Sequence, residues 1–288
     1  MEIRTPVVAG QFYPEDAEAC RLACQQHIEA LHLDFTLPKR LLGGVVPHAG
    51  WVFSGDCVGL FFRLLQSLYR EVETFVVFGA AHRYAGQRPV VGLETAWSTP
   101  LGPISVDRNL CQVGSEAGLW EQDAYAHAGE HSIEVIIPFI KYCYPQARLL
   151  PILTPPTLAA LACGTELSSL LNSDSTVVLA STDLTHYGPG YGFTPMGIGK
   201  EGWIWSRDHN DVAFLDCVTR LDGATVLRQA QEHGNACGAG AVAAAVSCVH
   251  AWGADAGTVV THTTSNEVLL KKNGRCGSDS VGYATVVF

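Results

Sequence analysis

Three of the eleven histidines stand just beyond the end of a short apolar run: His48 after LLGGVV in VVPHAGW, His82 after TFVVF in VFGAAHRY, and His186 after TVVLAS in STDLTHYG. Imidazole has an ordinary pKa close to neutrality, so it serves both as a metal ligand and as a proton carrier. A lone histidine after a strand is more often a turn residue. Three in the same context, each in a turn containing Gly, Ser or Thr, imply one shared crevice, because open α/β sheets bind ligands beyond the carboxyl ends of their strands. Asp183, three residues before His186, is placed to fix that ring's tautomer.

Cys237 lies in HGNACGAGAVAAAV, where Asn235 or a neighbour is expected to cap the Ala-rich helix that follows. The first turn of a helix favours a thiolate, and a thiolate either ligates a metal or attacks an electrophile; a small buried residue at a close helix contact is the plainer alternative. Two imidazoles with one anionic donor would leave open positions on a metal, and His186 would then be free for proton transfer. Glu130 and His131 in AHAGEHSIEVIIPF, with Glu134 following, read as helix-capping groups or as residues that orient a ligand. His262 and Ser265 in VVTHTTSNE also follow a strand and are expected to line the same crevice.

The elements that would position these groups alternate. Short apolar, β-branched runs at Leu41–Val46, Phe75–Phe78, Arg148–Leu153, Thr176–Ala180, Thr258–His262 and Tyr283–Phe288 predict strands, and most of them, being continuous, predict cover on both faces. Between them, amphipathic stretches predict helices at Asp16–Leu31, Gly55–Glu71, Asp107–Ala117, Ser132–Tyr144, Leu158–Leu171, His209–Leu221, Ala224–His233 and Gly238–Ala251. Tyr187–Gly202 reads as a long glycine-containing loop, of the kind that is usually functional. The expectation is an α/β fold: a single domain over 1–288, a three-layer sandwich whose mixed, mostly parallel sheet carries helices on both faces.

Composition excludes several classes. The 288 residues are 48% hydrophobic and only 16% charged, with a formal charge of −10. Such a chain is too apolar for disorder and lacks the basic stripe that nucleic acid requires. The uncharged stretch from Cys237 to Ala254 is rich in Gly and Ala and is broken by Gly253, so it reads as a packed helix rather than a membrane span. MEIRTPVVAGQFYPED has no basic region leading into an apolar one, so a cytoplasmic location with reduced thiols is expected for the ten cysteines. No CxxC occurs, and the Cys20/Cys24 pair sits in a helical stretch, which sets aside a structural zinc finger.

Taken together, RTPVVAGQFYP, PHAGWVFSG, FGAAH, EHSIEVIIPF, STDLTHYG, NACG and SDSVGYATVVF resemble, in order and over nearly the whole chain, the Memo family, whose bacterial members are called AmmeMemoRadiSam system protein B. That family is similar in fold to the class III extradiol dioxygenases, non-haem iron enzymes that cleave catechol rings. The resemblance implies metal ligands at His48, His82 and Cys237, an acid/base role for His186 beside Asp183, and a redox metal, Fe(II) first and copper as the alternative; the thiolate donor by itself would also take Zn. It also implies association with a radical SAM protein and an AMMECR-type protein. The chain departs from the pattern where the family's Tyr after HAG is Trp51, where Ala81 and Arg83 flank His82, and where His262 stands in place of a late Tyr, with Ser265 retained. The sulfur ligand replaces the dioxygenases' Glu.

The leading expectation is a metal-dependent oxidoreductase, dioxygenase-like, taking a small molecule in the cleft. A hydrolase with Cys237 as nucleophile and His186 as base is a second. A non-catalytic module binding peptides in the cleft, as animal Memo proteins are described to do, is a third; it needs cations for phosphate, and Arg83 and Arg88 are the nearest in the sequence.

Overall fold

A computed structural model describes residues 2–30, 40–68 and 71–288. Its centre is a nine-stranded mixed sheet. Four parallel strands, Gly43–Val46, Thr176–Ser181, Thr74–Ala80 and Arg148–Thr154, lie side by side in that order. Their residues are almost all fully buried, as continuous apolar runs require when helices cover both faces. Ser280–Val287 extends the sheet antiparallel beside Gly43–Val46, and Thr258–Thr264 and His186–Tyr187 pair with it. On the far side come the short strands Val90–Val91 and Glu121–Gln122. A separate small sheet joins Ile3–Arg4, Ala96–Trp97 and Ile104–Ser105.

The helices Ala17–Glu29, Trp51–Ser67 and Ile137–Cys143 pack together on one face, and Leu158–Leu167, Val212–Thr219, Gly223–His233 and Ala239–Ala251 on the other. This is the expected three-layer α/β sandwich. Ala239–Ala251 approaches its neighbours closely because it carries small residues. A Cβ on Gly164 would meet the Ala244 carbonyl, and one on Gly240 would meet those of Thr154 and Pro155. Among the described residues no helix is long and apolar enough to cross a membrane.

Several boundaries differ from the sequence expectation, and each difference has a local cause. The helix expected over Ser132–Tyr144 forms only at Ile137–Cys143, with a proline in its first turn, because the backbone of 130–136 is engaged elsewhere. Trp51–Ser67 starts four residues before the expected Gly55, directly behind the His48 turn. The expected ends of that helix at 69–71 and of the first helix at Leu31 fall partly on residues outside those described. The helix expected from His209 begins at Lys200 and passes through a π-turn, Ser206–Asp211, so the long loop ends three residues sooner, at Gly199. The helix Ser265–Asn273 was not anticipated, although Thr264 and Glu267 form a capping pair: the Thr264 hydroxyl accepts the Glu267 N–H at 3.2 Å.

One buried group predicts how the fold responds to acid. His127 is fully buried edge-on to Trp97, 4.9 Å between ring centroids, and neither ring nitrogen has a hydrogen-bond partner among the described residues. Burial, then the nearby Arg4 charge, pushes its pKa from 6.5 down to about 3. The unfolded chain therefore takes up a proton below pH 6.5 that the folded chain refuses until about pH 3. Stability is full above pH 6.5 and declines as pH falls through that window, by about 2 kcal/mol at pH 5 from this residue alone. Urea unfolding at pH 7 and pH 5 checks this: His127→Phe should lose less stability between the two than the parent, and an equal loss would contradict it.

Candidate metal centre

The crevice opens at the carboxyl ends of the parallel strands, where Val46, Ala80 and Ser181 lead into the turns carrying His48, His82 and Asp183. Its volume is about 420 Å³. His48, His82, His131, Asp183, His186 and Ser265 line it, together with Phe12, Phe53, Tyr191 and Tyr283. Cys237 meets it from the opposite layer. Its sulfur lies 3.2 Å from His48 Nε2, and the donor atoms of His48, His82 and Cys237 all fall within 4.8 Å of one another.

Both ligand-candidate imidazoles have their tautomers set from behind. His48 Nδ1 lies 2.8 Å from the Ser181 hydroxyl, which lies 2.5 Å from the Ser132 carbonyl. A carbonyl only accepts, so the Ser181 proton points to it and Ser181 accepts from His48 Nδ1–H. Nε2 is then the bare nitrogen facing the sulfur. His82 Nδ1 lies 3.0 Å from Glu130, whose carboxylate also accepts the His82, His131 and Ser132 backbone N–H groups at 2.8–3.0 Å. Burial works against the Glu130 charge, but the His82 contact and the amides outweigh it and hold the carboxyl well below its usual range. Nδ1–H thus donates to a fixed carboxylate, and the far nitrogen of His82 is left for the centre, the usual support of a metal-bound histidine.

The remaining electrostatics agree. Burial and the neighbouring imidazoles push His48 well below its ordinary pKa, so it is neutral. Burial opposes charge on His82, but Glu130 more than offsets it and raises that pKa. Burial, with Asp183 adding to it, pushes the Cys237 thiol up; a cation that accepts the sulfur would reverse this. Two imidazole nitrogens and one sulfur, both imidazoles braced, suit a borderline or soft metal with open positions, whose binding would displace any proton on His82 as well as the thiol proton.

Several residues take places other than those expected. Cys237 precedes the helix instead of sitting in its first turn. The N-cap is Gly238, pressed so close to the Ser181 carbonyl that a Cβ would not fit, and its N–H goes to the Thr182 hydroxyl at 2.8 Å. Asn235 does not cap; it donates to Asn210. Asp183 does not hold the His186 ring: it accepts the His48 N–H at 2.8 Å, while His186 Nδ1 donates to the Leu184 carbonyl at 3.1 Å. Trp51 is buried away from the crevice against Tyr13 and Phe139, its indole N–H on the Val135 carbonyl. His262 stands behind the crevice, 3.0 Å from the buried Asp211 carboxylate, which in turn accepts the Thr185 N–H. Ser265 lines the crevice and accepts the Val281 N–H. Glu134 caps no helix; it accepts the Val7 and Val8 amides.

Sequence reasoning missed the aromatic walls and Ser181. Phe12, Phe53 and Tyr191 carry no strand-end signal, and Tyr283 lies inside a buried strand. The Ser ending TVVLAS, one strand over from His48, was the legible clue to Ser181. The stacked pair His82 and His131, 5.2 Å apart at 11°, was likewise not apparent from spacing.

The bracing predicts a measurable effect. Glu130→Gln keeps the shape but removes the charge, so His82 loses its anchor, and metal affinity should fall about 10- to 100-fold with the fold intact. Competition with a chelator of known affinity measures this; unchanged affinity would mean that Glu130 does not orient a ligand.

A sequence profile described as Memo-like protein matches residues 4–287. A protein named as a MEMO1 family protein from Thermococcus onnurineus is 32% identical, covering 99% of each chain. A Methanopyrus kandleri protein of the same description is 33% identical over 99% of this chain and 98% of its own. One from Methanosarcina barkeri is 30% identical over 99% of both.

Proposed function

This chain belongs to the Memo-like family, and from that premise and the crevice we propose that it is a non-haem iron protein with dioxygenase-like oxidoreductase activity on a small molecule. His48, His82 and Cys237 would hold the metal. The observation that carries the reading is the convergence of their three donor atoms within 4.8 Å, with both imidazoles braced to present a bare nitrogen. A bound ferrous ion supplies Lewis acidity and redox capacity at positions the protein leaves open.

The chain's own groups do the rest. His186 has its Nδ1 proton committed to the Leu184 carbonyl, so Nε2 is the atom that takes and returns a proton in the crevice. Tyr191 packs edge-on against that ring at 5.0 Å and limits its rotation. Asp183 holds the His48 turn through the backbone. Phe12 and His131, 5.1 Å apart, close one wall and narrow the access of water. The hydrolase reading finds less support, since a second braced imidazole converges on Cys237 and burial holds the thiol protonated.

Anaerobic purification with metal analysis, then Fe(II) reconstitution and O2 uptake on a panel of catechols and phenols, tests the reading. Stoichiometric iron with ring-dependent O2 consumption is expected. A metal-free protein alkylated selectively at Cys237 would overturn it in favour of the hydrolase.

A further inference from the structure

The crevice bears on the charge of its ligand as well as on its shape. Phe12, Phe53, Tyr191 and Tyr283 supply flat apolar walls, while the acidic groups lining the cavity are Asp183, where burial pushes the carboxyl up towards the neutral form, and Asp279. Among the described residues, no Lys or Arg lines the cavity. The two arginines nearest His82 in sequence are not among the lining residues: Arg88 donates to the Gly118 carbonyl, and Arg83 lies against Gly129. Asp183 is spent on the His48 backbone, whereas Asp279, at the mouth, accepts only the Gly190 N–H and a long 3.4 Å contact from Ser278 among the described residues. One of its faces is thus open to a ligand.

We infer that the crevice selects an aromatic ring bearing no negative charge, neutral or carrying a cationic substituent that reaches Asp279, and that it rejects phosphorylated and carboxylated rings. Aromatic faces stack on a ring of either kind, so they set shape and not charge. Discrimination falls to Asp279: a bound divalent cation would be met by the ring oxygens, and a negative ring substituent beside Asp279 finds no Lys or Arg among the described lining residues to offset it. The inference rests on the crevice being the ligand site of the oxidoreductase proposed above, and names its substrate class.

Calorimetric titration of the full chain, both Zn(II)-loaded and metal-free, with three diols of one ring size tests it: 4-methylcatechol (neutral), dopamine (cationic) and 3,4-dihydroxybenzoate (anionic). Zinc keeps the reaction silent, so binding is read without turnover. The neutral and cationic rings should bind at least about tenfold more tightly than the benzoate, and Asp279→Asn should narrow the gap. Equal or tighter binding of the benzoate, no saturation by any ring, or preference for a phosphotyrosine peptide overturns the inference. A chain that keeps the predicted order yet consumes no O2 when iron-loaded supports the inference while sinking the oxidoreductase reading, so the two failures are distinct.

Discussion

Cys237→Ala and His48→Ala should each purify with essentially no bound metal and with the parent's far-UV circular dichroism. The three donor atoms sit within 4.8 Å of one another, so each variant leaves two donors, one of them a partly exposed imidazole. Weakening the support of a ligand costs about 10- to 100-fold in affinity; deleting the ligand itself must exceed that. Cys237→Ala is the cleaner variant. Its sulfur is held by one backbone N–H, that of Asp183 at 3.3 Å, and replacement by a methyl leaves the helix start and the Thr182–Gly238 contact untouched. Metal retained at parental stoichiometry in Cys237→Ala would mean that the centre forms elsewhere, with the second group of His82, Glu130 and His131 the remaining candidate. His186→Ala, by contrast, should keep the metal, because His186 is outside both groups.

That outcome bears on what a sequence can disclose about a site. The parallel strands were legible because burial on both faces forces continuous apolar runs, and the groups at their ends were legible because the topology delivers every such end to one crevice. Side-chain direction was not legible. Trp51 stands three residues from His48, but Gly50 is the helix N-cap between them, and the turn sends the indole into the core against Tyr13. Asp183 is spaced to serve His186, yet the His48 amide from the adjacent strand lies closer to it, a pairing of positions 135 apart. The π-turn that carries Asp211 inward to Thr185 and His262 leaves no mark in a helical periodicity, since it inserts one residue without changing the polarity of its neighbours. Glu130 shows why two readings of one residue are not exclusive: its carboxylate satisfies the amides of His131 and Ser132 and braces His82 with the same two oxygens.

Glu134→Ala should destabilise the fold by about 3–5 kcal/mol and weaken metal retention as well, although the residue touches neither metal candidate nor crevice. Its carboxylate is fully buried and accepts from Arg4 at 2.8 Å, from the Val7 and Val8 amides at 2.9 Å and from the Tyr13 hydroxyl at 3.0 Å. Arg4 lies over Trp97 at 4.1 Å and also donates to the carbonyls of His127 and Glu130. The pair therefore fastens the first strand and the 7–13 segment to the turn that holds Glu130, and through Glu130 to His82. Removing the carboxylate leaves a buried guanidinium without a counter-charge and two amides without acceptors, which accounts for the size of the loss. Arg4→Met should cost less than Glu134→Ala, because Glu134 keeps three neutral donors while its charge goes uncompensated. In the double variant the two losses should fall short of their sum, since each alone strands the other's charge. Urea unfolding of the four proteins gives the coupling, and chelator competition gives the metal effect. A Glu134→Ala loss below about 1 kcal/mol would place the pair in the class of solvent-screened surface bridges, and the N-terminal segment would then have no hold on the metal centre.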